Sequence, residues 1–110
     1  MKVRLEFHPD AVAEVESSMD WYEGQRAGLG DEFFAELRQG LQVIAESPRV
    51  NPPWTGGRVM DVGVRRLRME RFPFVLPYLV VEDLVVVLAV AHVRRRPGYW
   101  LPRARSFPQR

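Results

Sequence analysis

The fold is decided by LVVVLAVAHV, residues 84–93, in which only His92 is polar. A strand with one face in water alternates apolar and polar residues. An unbroken apolar run instead predicts a strand covered on both faces, at the centre of a sheet. The run is much shorter than the ~20 residues of a membrane-spanning helix, so a soluble protein without a membrane partner is expected.

Two further strands are predicted before this run. Residues 62–69 and 74–81 are rich in the branched and aromatic residues typical of strands, and Glu82-Asp83 is expected to form the turn into the central strand. Pro77 cannot donate a ladder hydrogen bond, so we expect an edge position or a bulge there. The three strands together predict an antiparallel meander.

The N-terminal half has a different pattern. Residues 2–7 alternate polar and apolar residues, which predicts a half-buried first strand. Pro9 then suits the first turn of a helix whose apolar stripe contains Val12, Val15, Met19 and Tyr22.

A second helix is predicted after a glycine-rich turn at residues 28–30. Its apolar face contains Phe33, Phe34, Leu37, Leu41 and Ile44, and Ser47-Pro48 ends it. Two helices joined by so short a turn pack antiparallel. The fold class is therefore α+β: an N-terminal strand, an antiparallel helical hairpin and a three-stranded antiparallel meander.

Length and composition limit the chemistry. The 110 residues support one domain, assigned to residues 1–102, followed by a basic tail at 103–110 that is expected to be mobile.

The absence of cysteine excludes disulfides, thiol catalysis and cysteine metal sites, and His8 and His92 lack the spacing of metal ligands. We expect no metal or other cofactor. The N-terminus lacks a signal-peptide core, so the cytoplasm is the expected location.

Charge is divided unevenly along the chain. Residues 1–48 carry four basic and ten acidic side chains, whereas residues 49–110 carry twelve arginines and four acidic side chains. Arginine presents a planar fork that matches phosphate and carboxylate groups, so the C-terminal half favours an anionic partner. Solvated helix faces in the first half offer a simpler explanation of the same division.

Two arginine runs are the strongest chemical feature. In the strand at 62–69, alternation places Arg66 and Arg68 on one face and Arg65 on the other. A second run, Arg94-Arg95-Arg96, follows the central strand. If these strands are neighbours, the guanidinium groups converge on one end of the sheet and form an anion-binding surface. The alternative is a charged edge that prevents strand pairing with other chains.

Several other residues allow two interpretations. His92, at the end of an apolar strand, is typical of a hydrogen-bonded structural histidine as well as of a catalyst. Tyr99 and Trp100 suit either base stacking or an interface pocket, or return to the core. The pairs Trp21-Tyr22 and Phe33-Phe34 lie at helical spacing, which favours the core.

One ordered set of motifs resembles the RelE/ParE superfamily of toxins from type II toxin–antitoxin modules, over about residues 3–101. The set is Phe7-His8-Pro9-Asp10-Ala11, Trp21-Tyr22-Glu23, Gly28-Leu29-Gly30-Asp31-Glu32-Phe33, Val64-Arg65-Arg66-Leu67, Phe72-Pro73-Phe74, Ala89-Val90-Ala91-His92 and Arg94-Arg95-Arg96-Pro97-Gly98-Tyr99-Trp100. The resemblance implies a strand–helix–helix–sheet fold, in agreement with the elements predicted above.

The resemblance implies one of two activities. RelE-like members cut mRNA at the ribosome, whereas ParE-like members inhibit DNA gyrase and block replication. Trp21-Tyr22, the glycine turn and the Ala-His-x-Arg-Arg-Arg-Pro-x-x-Trp ending are more similar to the ParE branch. RelE-like nucleases use basic side chains on the sheet, and Lys2 is the only lysine here. A nuclease would have to use Arg66, Arg68, His92, Arg95 and Tyr99, so no catalytic residue is favoured.

The resemblance also implies partners. A ParD-like antitoxin from the same operon is expected to place apolar residues on the helical hairpin and acidic residues on the arginines, in a heterooligomer. The expected antitoxin contacts are Trp21, Tyr22, Phe33, Phe34, Leu37, Arg66 and Arg95. The expected target contacts are Arg65, Arg66, Arg68, Arg94, Arg95, Arg96, Tyr99 and Trp100. Gyrase is the expected target, with the ribosome and mRNA as the alternative; a degenerate toxin that only binds its antitoxin is the third possibility.

Overall fold

The computed structural model describes residues 3–54 and 63–105. In chain order its elements are β1 (Arg4–Phe7), α1 (Pro9–Gln25), α2 (Leu29–Glu46), β2 (Arg65–Arg68), β3 (Phe74–Val81), β4 (Leu84–Val87), β5 (Ala91–His92) and α3 (Leu101–Arg105). The predicted α+β class, with a helical hairpin between the first strand and the meander, is confirmed.

The sheet has the strand order β1-β4-β3-β2, and β5 also pairs with β3. Strands β2, β3 and β4 form the predicted antiparallel meander. Strand β1 lies parallel to β4, with Leu5 opposite Val85. This pairing makes β4 an interior strand, as its continuous apolar sequence predicts.

Pro77 lies at a bulge, and the alternative of an edge position is wrong. Strand β3 is paired on both sides: Tyr78 faces Val87, and Val75 faces Ala91. Two residues of β3 therefore face the three residues 88–90, and this extra residue is a β-bulge. The Pro77 carbonyl accepts a hydrogen bond from Leu88 N at 2.8 Å. Because the N and C=O of one strand residue point to the same side, the Pro77 nitrogen, which cannot donate, also faces the bulge. The bulge also divides the predicted strand 84–93 into β4 and β5.

Local interactions fix the helical hairpin. Nδ1 of His8 accepts a hydrogen bond from Asp10 N at 3.1 Å, and Pro9 occupies the first turn. Gly28 has a φ of 89°, which glycine adopts without steric strain. The Glu23 carboxylate accepts hydrogen bonds from Gly28 N at 2.9 Å and Gly30 N at 3.0 Å, tying the end of α1 to the start of α2.

The sheet separates two hydrophobic cores. On the helix side, Phe33, Leu37 and Ile44 of α2 pack in one cluster with Leu76 and Val85 of the sheet. On the opposite face, Trp100 and Ala104 pack in a second cluster with Val86 and other sheet residues. The C-terminal segment therefore covers the second face, and β4 is buried along its whole length.

The end of the domain differs from the prediction. Arg103, assigned to a mobile tail, lies in α3 and pairs with Glu14 at 3.0 Å, and Ala104 is buried. The domain therefore extends past residue 102 to Arg105, because α3 closes the second core. Residues 106–110 of the predicted tail, Val62 of the predicted strand and the location of Lys2 lie outside the described residues.

Within residues 3–54 and 63–105, no helix combines the length and the hydrophobicity that crossing a membrane requires.

Candidate functional site

Four arginines converge on a cleft on the sheet face opposite the helical hairpin. The cleft, of about 580 Å³, lies between β2, β5, the segment after β5 and the segment 51–54. We call it the arginine cleft; it is lined by Arg66, Arg68, Arg95 and Arg96, with Trp54, His92 and Tyr99. Its described lining contains no acidic side chain. The cleft is therefore a cationic surface without an internal counter-charge.

Strand β2 aims its arginines at the cleft by alternation. Leu67 packs in the helix-side core, so Arg66 and Arg68 point to the opposite face and are exposed. The Arg66 guanidinium carbon lies 5.6 Å from the centroid of the Trp54 ring, a cation–π distance. Arg65 is on the other face and does not line the cleft, but it donates to the Asn51 carbonyl at 2.7 Å and so holds the segment 51–54 that forms one wall of it.

The second arginine run divides in the same way. Arg95 and Arg96 line the cleft, whereas Arg94 is exposed outside it. Nδ1 of His92 accepts a hydrogen bond from Arg94 N at 3.1 Å, which shapes the turn after β5. The His92 ring also packs edge-on against Phe74, with centroids 5.2 Å apart. His92 therefore has the contacts of a structural histidine.

Tyr99 lines the cleft, but its hydroxyl is hydrogen-bonded to Glu14, which lies outside the cleft. The Arg95 guanidinium carbon lies 3.8 Å from the Tyr99 ring centroid. The hydroxyl donates to Oε2 of Glu14 at 2.7 Å. Burial, and then this bond to a carboxylate, raise the pKa of the Tyr99 phenol well above the usual tyrosine value. The phenol therefore stays protonated near neutral pH.

Glu14 is a functional candidate that the sequence analysis missed. Besides Tyr99, its carboxylate accepts hydrogen bonds from Val90 N at 2.9 Å and from Nη1 and Nη2 of Arg103 at 3.1 and 3.0 Å. These partners are 76 to 89 residues away in the chain. No sequence signal distinguished Glu14 from the other carboxylates of α1, because only the tertiary fold brings α1 to the C-terminal segment.

A comparison with protein families shows to which family the chain belongs. The model of the ParE toxin of the type II toxin–antitoxin system parDE matches residues 5–97. The chain belongs to the ParE toxin family. No curated protein shows significant sequence similarity to it.

Two solved structures share the fold of this ParE-family chain. A structure of the chromosomal ParDE system from P. aeruginosa superposes with a TM-score of 0.70 at 17% identity, over 83% of this chain and 96% of that one. A free mutant of the E. coli toxin RelE superposes with a TM-score of 0.56 at 18% identity, over 86% of each chain. At these identities the likeness establishes the common fold.

The structure places some predicted contact residues of this ParE-family toxin in the cores. Trp100 borders the cleft but is only 1% exposed and packs against Trp54, with ring centroids 4.9 Å apart, so it offers a ligand almost no surface. Phe33 and Leu37 of α2 are buried to the same degree, in the core between that helix and the sheet. These three side chains fill the spaces between the sheet and its covering layers, which for Trp100 is the core alternative given above.

Other predicted contact residues remain on the surface. Trp21 is 61% exposed and Phe34 is 39% exposed on the helical hairpin. Tyr22 is half-buried in an aromatic cluster and contacts Phe33 and Phe72. Exposed aromatic side chains of this size are typical of protein interfaces.

The arginine cleft is suited to binding an anionic group. Residues 3–54 and 63–105 contain no group of three or more histidine or carboxylate side chains arranged to hold a metal ion. What the arginine cleft offers is a set of fixed positive charges beside an aromatic ring. Such a surface is suited to a carboxylate or phosphate group of a larger partner.

Proposed function

We propose that this ParE-family toxin arrests growth by inhibiting DNA gyrase, and that the arginine cleft is part of the surface that contacts the target. Family membership supports the toxin role and implies an antitoxin partner. The choice of gyrase is a proposal that rests on membership of the ParE family, and the chemistry of the cleft supports it only by arguing against RNA cleavage.

The observation that carries the proposal is that the Tyr99 hydroxyl and one ring nitrogen of His92, the groups in the cleft suited to proton transfer, already have hydrogen-bond partners within the protein. Cleavage of RNA through its 2′-hydroxyl needs a general base and a general acid within reach of the phosphate. The Tyr99 hydroxyl donates to Glu14, and Nδ1 of His92 accepts from Arg94 N. The arginines are poor proton carriers, because a guanidinium side chain does not give up its proton in proteins. The described residues are therefore better suited to binding an anionic surface than to cleaving RNA.

The neutralising partner is proposed to be a ParD-like antitoxin that folds on this toxin. The exposed Trp21 and Phe34 offer apolar contacts on the helical hairpin, and Arg66 and Arg95 offer charge contacts for acidic residues. A disordered segment that covers both surfaces gains binding free energy from apolar burial, offset in part by the cost of ordering it. We propose a heterooligomer of toxin and antitoxin in the cytoplasm.

A supercoiling assay with purified toxin and gyrase tests the proposal. We expect the toxin to inhibit supercoiling and to accumulate cleaved DNA, and we expect the co-expressed antitoxin to prevent both effects. A folded toxin that stops growth when expressed, yet leaves several gyrases unaffected, would contradict the proposal.

A second candidate is ribosome-dependent cleavage of mRNA. It is favoured by the convergence of Arg66, Arg68, Arg95, His92 and Tyr99 around one cleft. Primer extension on ribosome-bound mRNA decides between the candidates: cuts in codon register that disappear in Arg66→Ala and Arg95→Ala would establish the nuclease. Expression without growth arrest would instead identify a degenerate toxin that only binds its antitoxin.

A further inference from the structure

We propose that Glu14, which lies outside the arginine cleft and accepts the hydrogen bond of the Tyr99 hydroxyl, is a positioning residue of the cleft and acts through Tyr99 on Arg95. The proposal rests on the proposed function only in taking the cleft as the working surface of the toxin. Neither Glu14 nor Arg103 lines the cleft, so their effect on it is indirect.

The contacts of Glu14 form an anchor with little freedom to move. Both carboxylate oxygens are used, by Val90 N, the Tyr99 hydroxyl and the two terminal nitrogens of Arg103, all at 2.7–3.1 Å. The Glu14 and Arg103 side chains are only 17% and 16% exposed. Arg103 also donates to the Leu88 carbonyl at 3.0 Å, which ties the same anchor to the bulge after β4.

This anchor fixes the ring on which Arg95 rests. The hydroxyl bond to Glu14 sets the position of the Tyr99 ring, and the Arg95 guanidinium lies over that ring at 3.8 Å. A long exposed side chain such as Arg95 loses rotamer freedom when it binds an anion. A fixed aromatic platform reduces that loss, because it restricts the guanidinium before the ligand arrives.

The pairing with Arg103 also preserves the charge of the cleft. An unpaired carboxylate behind Tyr99 would attract Arg95 away from the ligand and weaken the positive potential. Arg103 instead neutralises Glu14 through two parallel N–H···O bonds, a strong geometry for this pair. Glu14 can therefore hold Tyr99 without competing with an anionic ligand for Arg95.

The test measures the mobility of Arg95 and the affinity of the cleft for inorganic phosphate, neither of which requires gyrase. Side-chain ¹⁵Nε relaxation is recorded by NMR for the full chain and for three variants. Glu14→Gln removes the charge, Tyr99→Phe removes only the hydroxyl and keeps the ring, and Glu16→Gln is a matched control at an exposed position of the same helix. Phosphate is then titrated into each protein.

We expect Glu14→Gln and Tyr99→Phe to lower the order parameter of Arg95, and Glu16→Gln to leave it unchanged. From the usual cost of ordering a flexible side chain on binding, phosphate binding should weaken about two- to tenfold in Tyr99→Phe, which leaves the Glu14–Arg103 pair in place. If Glu14→Gln does not fold, Tyr99→Phe decides by itself.

Unchanged Arg95 mobility and unchanged phosphate affinity in a folded Tyr99→Phe protein would overturn the positioning role. A wild-type toxin that fails to inhibit gyrase would overturn the proposed function instead, and the NMR result would still decide the role of Glu14.

Discussion

Gly30, near the start of α2, lies so close to Met19 of α1 that a Cβ atom at Gly30 would be 2.8 Å from the Met19 carbonyl oxygen. The same atom would be 3.0 Å from Oε1 of Glu23, the oxygen that accepts the Gly30 N–H. The close approach of the two helices therefore depends on a residue without a side chain. Because the nearest atom belongs to the backbone, it cannot move aside cheaply.

The first prediction concerns this contact. Gly30→Ala should lower the free energy of unfolding by about 1–3 kcal/mol, because overpacking outweighs the better helix propensity of alanine. Gly24→Ala is the matched control, since nothing lies within 4 Å of its Cβ position, and it should raise stability by about 0.5–1 kcal/mol. Urea unfolding followed by circular dichroism measures both; equal effects of the two variants would refute the prediction.

The second prediction separates two tryptophans. Trp100→Ala should destabilise the toxin by about 3–5 kcal/mol, because it empties the second core. Trp21→Ala should change stability by no more than about 0.5 kcal/mol, since Trp21 is largely exposed, but should weaken antitoxin binding by about 2 kcal/mol. Thermal unfolding and calorimetric titration with the antitoxin check the pair. Unchanged antitoxin affinity would exclude Trp21 from the interface.

The third prediction concerns the cleft. Arg66→Ala and Arg95→Ala should each reduce target inhibition about tenfold, as expected for the loss of one charge-assisted contact. Arg94→Ala is the control, since it removes an adjacent arginine that does not line the cleft. The comparison uses the toxin concentration that inhibits half of the supercoiling activity. Equal losses for all three variants would indicate a general effect of net charge.

The fourth prediction is an alkaline loss of stability. The pKa of Tyr99 is raised above the ordinary value of 10.0, so above that pH the unfolded chain releases a proton that the folded chain retains. The contribution of Tyr99 to the free energy of unfolding is therefore fully present below about pH 10 and is lost as the pH rises further. Unfolding free energies measured between pH 8 and 11 should decline less steeply in Tyr99→Phe. Identical slopes in the two proteins would contradict the assignment.

The secondary structure was largely predictable because its signals are local. The apolar run at 84–87, the alternation at Arg65–Arg68 and the proline and glycine boundaries of the helices each depend on neighbouring residues. The bulge could be anticipated from Pro77, but its location on the partner strand required the register of β3 against β4 and β5.

The site was predictable only in part. Alternation separated Arg65 from Arg66 and Arg68, and the arginines do converge on one cleft. Sequence could not show that Trp100 fills a core or that Arg94 points away, because both depend on how the segment after β5 turns back over the sheet. The basic composition of residues 103–110 suggested a mobile tail. Arg103 instead lies in α3, where it pairs with Glu14, a residue far away in the sequence.

The chain by itself determined the strand–helix–helix–sheet order, the central position of the apolar strand and the excess of arginine in the C-terminal half, since periodicity, turn residues and charge are properties of adjacent positions. Only the tertiary structure decided which arginines share a cleft and that a carboxylate of α1 is bonded to Tyr99, on whose ring Arg95 lies. Those relationships join residues up to 89 positions apart. They form only when the helical hairpin packs on one face of the sheet and the C-terminal segment packs on the other.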